Sequence, residues 1–299
     1  MATFRRAEAV ADELPRTPEV TQLRLRASEG LAVTYRFQGR YPEAEALLRR
    51  TLDEAERELG LEALLVADLL SDLAVTLKYS GGFDEAAALY RRALAIVEAS
   101  PDVPLESLAS LYHNLGGLEH ARGNLPAAEP LARRAVELRE RALGPRHPDA
   151  AADRAALAAI LDGLGQEAQA ESLLRDALGI FLTDCGEQHA DVAVSLHNLA
   201  AILQRRGEYE QAGSLYRHAL TIKEQVLGVD HPELAVTLNN LAGVCRAQAQ
   251  VAEAASLYLR AIRLLEPAVE PSHPTLLACR DSYSAITAEA AHRRASPRE

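Results

Sequence analysis

The sequence predicts an all-α fold, a right-handed α-solenoid of six helix-turn-helix repeats closed by a C-terminal capping helix. Three observations predict it. Small and apolar residues recur every 42 positions. Apolar residues between the turns follow helical spacing, and the alternating β-branched runs typical of strands are absent. Aromatic residues make up only 4% of the chain, so alanine and leucine, both strong helix formers, must supply the packing.

The repeat is clearest in four columns of residues that share one register. A glycine column starts at Gly39 and holds glycine in five units before it ends in Ala249. An alanine column and two leucine columns run through all six units without exception. Their members are Ala44, Ala86, Ala128, Ala170, Ala212 and Ala254; Leu31, Leu73, Leu115, Leu157, Leu199 and Leu241; and Leu47, Leu89, Leu131, Leu173, Leu215 and Leu257. Such agreement establishes a tandem repeat.

Each unit is predicted to contain two helices. In the fifth unit, apolar residues between Val194 and Leu203 follow helical spacing, and Gly207 ends this first helix. A second helix begins near Tyr209 and carries apolar residues on one face as far as Ile222. A single helical pair cannot bury both of its faces, so we expect stacked neighbours to complete the core.

The repeats are expected to span residues 21–273. Residues 1–20 are predicted to form a helix, either a cap or a half repeat, because Phe4–Val10 resembles the second-helix segment Tyr90–Ile96. Residues 274–292 are predicted to form a first-type helix without a partner, which is how such stacks are usually capped. Residues 293–299 are expected to form a disordered tail.

The repeat resembles a known family. Leu-Ala late in the first helix, Gly-x-Tyr at the turn and the following Ala, Leu-Tyr and Ala-Leu resemble the tetratricopeptide repeat. The period exceeds the usual ~34 residues of that repeat, and Leu227–Ala235, leading into Leu238–Ala242, is similar to the kinesin light chain subclass. The resemblance covers roughly residues 21–294. It implies a scaffold whose first helices line a concave groove that binds extended or helical protein segments.

Composition excludes several classes of function. A net charge of −11, from 32 basic and 43 acidic residues, argues against a nucleic-acid partner, because a binder needs a basic face to meet phosphates. No apolar stretch is long enough for a membrane span, and the charged start lacks the apolar core of a signal peptide. Three cysteines outside any CxxC pair predict reduced thiols and a cytoplasmic location.

The sequence contains no catalytic motif: phosphate-loop, HExxH and GxSxG patterns are all absent. A histidine ladder is the best candidate for a metal site, and its members are His147, His189, His231 and His273. Packed helices lie about 8–10 Å apart, whereas zinc needs nitrogens within ~2.1 Å, so neighbouring units cannot share an ion. We therefore predict a structural role at helix starts, no metal, no cofactor and no enzyme activity.

The candidate partner-binding residues precede the recurring leucine that starts at Leu31. These positions hold Glu29, Ser71, Asp72, His113, Asn114, His197, Asn198, Asn239 and Asn240. The resemblance implies that asparagines here hold the backbone of the partner, since an amide side chain both donates and accepts hydrogen bonds. Asn114, Asn198 and Asn240 match this pattern, whereas Gly30, Asp72 and Ala156 depart from it.

A further column, later in the first helices, is mostly cationic. It holds Arg36, Lys78, His120, Asp162, Gln204 and Arg246, with Arg205 and Arg206 beside it. A concave surface lined by one sign of charge sets the local field for a ligand. The column therefore predicts an acidic or mixed apolar-acidic partner segment, and the resemblance implies the same, because kinesin light chains accept peptides in which acidic residues flank an aromatic.

These features together predict a non-catalytic scaffold or adaptor that binds a protein or peptide in its groove. A regulatory or sensor module of a larger signalling or ATPase machine is the alternative, and an enzyme is a third class. The sequence does not indicate the oligomeric state or the identity of the partner.

Overall fold

The computed structural model of this chain describes residues 17–100, 102 and 105–295. Thirteen α-helices and no strand occur among these residues, which confirms the all-α prediction. Residues 1–16, which make up most of the predicted N-terminal helix, lie outside the described residues. The same holds for residues 296–299 of the predicted tail.

The chain divides into two compact units, unit 1 (residues 1–143) and unit 2 (residues 144–299). The helices of unit 1 are α1 (Pro18–Phe37), α2 (Tyr41–Leu59), α3 (Leu64–Ser80), α4 (Phe83–Ala99), α5 (Leu105–Ala121) and α6 (Leu125–Leu143). The helices of unit 2 are α7 (Pro148–Gly163), α8 (Glu167–Asp184), α9 (Ala190–Arg205), α10 (Tyr209–Leu227), α11 (Leu234–Ala247), α12 (Val251–Leu265) and α13 (Pro274–Ala295).

Helical pairs stack within each unit. Each odd-numbered helix from α1 to α11 packs most closely on the even-numbered helix that follows it, as the predicted helix-turn-helix repeats require. The first helices of adjacent pairs in a unit also contact one another, whereas the second helices are farther apart. The first helices therefore form the narrower side of each unit, which we call its inner face.

The alanine column explains how the two helices of a pair approach so closely. Ala44, Ala86, Ala128, Ala170, Ala212 and Ala254 are all fully buried. A larger side chain there would separate the helices, since protein interiors are close-packed. Helix α13 packs against α12 and buries Leu276, Cys279 and Ile286 in the core of unit 2, which is the contact that a capping helix needs.

The turn inside each pair requires a left-handed residue. The glycines of the glycine column meet this requirement, with φ values from 70° at Gly39 to 107° at Gly81. Ala249 holds the same position in the sixth pair with φ 60°, the only positive φ of a non-glycine residue in the described part of the chain. A Cβ atom makes this conformation unfavourable.

We expect Ala249→Gly to stabilise unit 2, by on the order of 1 kcal/mol, because glycine adopts positive φ without a steric penalty. Urea unfolding would measure the gain. Ala255→Gly, inside α12, is the matched control and should destabilise the protein, since glycine is a poor helix former. A loss of stability in both variants would contradict the assignment of strain to Ala249.

The histidine ladder acts at helix starts. The Nδ1 atoms of His147, His189, His231 and His273 accept hydrogen bonds from the backbone N–H two residues later, at 3.2–3.3 Å. His147, His189 and His273 each thereby satisfy one of the amide groups that a helix start leaves without an intrahelical partner, whereas His231 bonds Glu233, just before α11 begins. An imidazole that accepts through Nδ1 must be unprotonated at that atom.

Candidate functional site

All twelve predicted partner-binding residues lie on first helices. In unit 1 these are Arg36 on α1, Lys78 on α3, and His113, Asn114 and His120 on α5. In unit 2 they are His197, Asn198, Gln204 and Arg205 on α9, and Asn239, Asn240 and Arg246 on α11. His120, Arg205 and Arg246 are exposed, and the other nine are half-buried.

His197 is the centre of a polar network in unit 2. The Asn240 side-chain amide donates to His197 Nε2 at 3.3 Å, and the His197 Nδ1–H faces Thr237 Oγ1 at 3.1 Å. The ring meets Tyr216 edge-on, with centroids 5.1 Å apart. These contacts assign the neutral imidazole with its proton on Nδ1. Burial, and secondarily the charge of Lys223, lowers the pKa of His197 from its usual 6.5 to about 3.

The same network includes residues that sequence reasoning missed. The Lys223 ammonium on α10 donates to Thr237 Oγ1 at 3.2 Å, and burial lowers the pKa of Lys223. A sequence signal for Lys223 existed, because its position in other repeats holds the buried residues Val97, Phe181 and Leu265. The sequence provided no comparable indication for Thr237. Its hydroxyl contacts both His197 and Lys223, and these contacts form only when α9, α10 and α11 pack together.

The predicted asparagines fall into two groups. Asn240 is bonded to His197, and its amide oxygen accepts from Asn239 at 3.3 Å. By contrast, Asn114 on α5 and Asn198 on α9 make no side-chain hydrogen bond within the described part of the chain. Both are half-buried and lie on first helices. Their amides retain the capacity to donate and accept.

The predicted cationic column is partly neutralised by acidic residues of this chain. Arg36 Nη2 lies 3.4 Å from Asp72 Oδ1, and both side chains are half-buried. Arg205 forms a two-point contact with Asp162 and also lies 3.3 Å from Glu167. The sequence identified these acidic and basic residues but did not indicate that they pair. The pairing lowers the positive field that Arg36 and Arg205 present.

Unit 1 also contains an acidic cluster, which consists of Glu29 on α1 and Asp68 and Asp72 on α3. Arg26 approaches two of these residues, at 3.7 Å from Glu29 and 3.8 Å from Asp68. Burial, followed by the charges of Asp72 and Asp68, raises the pKa of Glu29 from its usual 4.5 to about 7. Burial also raises the pKa values of Asp68 and Asp72.

Metal coordination and membrane insertion find no support in the part of the chain that the structure describes. Within the described ranges, no group of three or more His, Cys, Asp or Glu side chains is arranged to hold a metal ion. None of the helices in these ranges is both long enough and apolar enough to cross a bilayer.

One family model, described as tetratricopeptide repeat, matches residues 23–99, 107–183 and 191–266. The chain belongs to the tetratricopeptide repeat family. A tetratricopeptide array is a scaffold for protein interaction, and this coarse function applies to the chain. No match was found among curated proteins.

Two solved tetratricopeptide structures are similar to this chain. BtubC (BKLC) from P. vanneervenii shares 22% identity with a TM-score of 0.54, over 87% of this chain and 95% of that chain. A point variant of a Podosopora anserina protein, described as a kinesin light chain with nearly identical TPR-like repeats, shares 25% identity with a TM-score of 0.52, over 68% of this chain and 95% of that chain. The predicted kinesin light chain-like repeat is thereby confirmed.

Proposed function

We propose that this tetratricopeptide protein is a non-catalytic scaffold that binds a segment of a partner protein along the inner faces of its units. The main support for the proposal comes from Asn114 and Asn198. Each presents a half-buried amide that has no hydrogen-bond partner in the described residues. An extended peptide offers backbone N–H and C=O groups that one amide can bind together. Because such contacts use the backbone, they hold a segment without fixing its sequence.

Side-chain specificity requires charged residues that a ligand can reach. Lys78 and His120 belong to the predicted cationic column in unit 1, and Arg246 belongs to it in unit 2; His120 and Arg246 are exposed. We propose that acidic residues of the partner lie opposite these three side chains. Such contacts would weaken with added salt, since exposed charges are screened within ~8 Å at physiological ionic strength. A preference for a wholly basic segment, or binding that strengthens with salt, would contradict an acidic partner.

A cytoplasmic location is part of the proposal. Cys185, Cys245 and Cys279 are all free thiols, and Cys245 and Cys279 are buried. Unpaired buried thiols are typical of proteins in reducing compartments. Burial raises the pKa of Cys279 to about 11, which keeps that thiol protonated and unreactive at neutral pH.

We expect Asn198→Ala to weaken binding about fivefold, because each lost hydrogen bond costs on the order of 1 kcal/mol. Peptides selected from a random displayed library against the wild-type protein would serve as probes, with affinity measured by fluorescence anisotropy. Stability should change little, since the Asn198 side chain bonds nothing in the described part of the protein. Asn240→Ala should lower both affinity and stability, because it also breaks the contact with His197.

The matched control is Gln225→Ala, which removes an exposed amide from the second helix α10. This variant should bind the selected peptides as the wild type does. If Asn198→Ala and Asn114→Ala both bind with wild-type affinity, the inner face does not hold the partner backbone in the way proposed.

A further inference from the structure

First helices of adjacent pairs meet in a fixed register. In unit 2, His197 on α9 bonds Asn240 on α11, and these residues are separated by 43 positions. Asp162 on α7 and Arg205 on α9 make contact at the same separation. Glu29 on α1 and Asp72 on α3 hold this register in unit 1. The position that joins two complementary groups in unit 2 therefore brings two carboxylates together in unit 1.

These carboxylates are shielded from water but only partly compensated. The side chains of Glu29 and Asp72 are 15% and 23% exposed, respectively. Two arginines form ion pairs with the three carboxylates: Arg26 pairs with Glu29 and Asp68, and Arg36 pairs with Asp72. Asp72 and Asp68 add to burial in raising the pKa of Glu29, so the ionised carboxylates repel one another here.

A second observation is independent of the acidic cluster. Tyr90 on α4 is fully buried, yet its hydroxyl has no hydrogen-bond partner. Burial raises the pKa of Tyr90, and Arg36 and Asp72 lie close enough for their charges to influence its ionisation. A buried hydroxyl without a partner is unusual, because its desolvation is not offset.

Comparison within the chain explains the unused hydroxyl. Tyr216, at the corresponding position of unit 2, donates to Gln204 Oε1 at 3.1 Å. Lys78 occupies the position of Gln204 in the repeat that contains Tyr90. An ammonium group cannot accept a hydrogen bond, so the donor of Tyr90 remains unused. Asp72 is an acceptor close enough for its charge to influence this hydroxyl.

We propose that Glu29 and Asp72 bind one basic side chain, a lysine or an arginine, of the protein segment that occupies the inner face of unit 1. The inference rests on the proposed function. A cationic group between the carboxylates would offset their mutual repulsion, and charge-assisted hydrogen bonds are the strongest of those available. Tyr90 can donate to Asp72 once the ligand draws Asp72 away from Arg36.

A metal ion is not the occupant that this site fits. The carboxylates of Glu29, Asp68 and Asp72 do not converge into a group that could coordinate one, among the residues described. An ammonium or guanidinium group can instead bond separated oxygen atoms, because its donors point outward from a larger cation. The segment bound at unit 1 would then carry a basic residue.

The test is a selection of peptides from a random displayed library against the full chain in four forms: wild type, Glu29→Gln, Asp72→Asn and the control Glu58→Gln. Glu58 is an exposed carboxylate on the second helix α2. Wild type and Glu58→Gln should enrich peptides with lysine or arginine at one fixed position. Both inner-face variants should lose that preference and bind the wild-type peptides on the order of tenfold more weakly.

A second measurement separates a direct contact from a general charge effect. Replacing the basic residue of a selected peptide by glutamine should weaken binding to wild type much more than binding to Glu29→Gln, in which only Asp72 remains to contact that residue. Peptides that bind through Asn198 without any basic preference would overturn the inference while the proposed function stands. An equal loss for Glu58→Gln would also overturn it. Failure to select any peptide would overturn both.

Discussion

Glu29→Gln is expected to stabilise unit 1 at pH 8, by on the order of 3 kcal/mol. The pKa of Glu29 is raised to about 7 in the folded protein, from 4.5, and each pKa unit corresponds to about 1.4 kcal/mol. A raised carboxyl pKa means that the folded state binds more protons than the unfolded state between these values. The cost is therefore complete above pH 7 and disappears as pH falls toward 4.5.

Hydrogen exchange of α1 and α3 at pH 8 would measure this gain, since it reports local opening. The wild-type protein should itself become more stable in these helices as pH falls from 7 toward 4.5. Glu58→Gln is the control for removing a carboxylate from unit 1. If Glu29→Gln matched this control, or if it lost protection, Glu29 would not carry an uncompensated charge. A Glu29 carboxylate that lowers the stability of unit 1 but strengthens ligand binding would be consistent with a ligand site.

The opposite pH response is expected in unit 2, where His197 must stay neutral. Its pKa falls to about 3 in the folded protein, from 6.5. Neutral His197 costs the folded state nothing above pH 6.5. As pH falls from 6.5 toward 3, the unfolded state binds a proton at this residue and the folded state does not, so the free energy of unfolding decreases. By pH 5, on the order of 2 kcal/mol should be lost. Protonation of Nε2 would place a donor against the Asn240 amide, while Lys223 already supplies positive charge nearby.

His197→Gln removes the titrating group but keeps a side chain that can accept and donate hydrogen bonds. Hydrogen exchange of α9 and α11 should show little protection lost by this variant between pH 7.5 and 5, whereas the wild type loses it. His218→Gln, which replaces an exposed histidine on α10, is the matched control and should retain the wild-type response. The assignment to His197 fails if the two variants respond to acid alike.

Repeat periodicity explains why so much of the site was predictable. A helical pair places residues of one column at equivalent positions, so the leucines in register with Leu31 assigned all twelve candidate residues to first helices before the fold was known. The same register predicts that Asn114 and Asn198 face a partner, and this stays a prediction. The glycine column likewise predicted the turns, including the departure at Ala249.

Column membership alone determined the helices, their pairing and the helix on which each candidate lies, because these properties depend on local spacing. Only the tertiary structure decided which polar groups are already used. Arg36 meets Asp72, and Asn240 meets His197, while the Tyr90 hydroxyl meets no partner. These outcomes depend on distances of a few ångströms between side chains on different helices, and the periodicity of one helix contains no information about them.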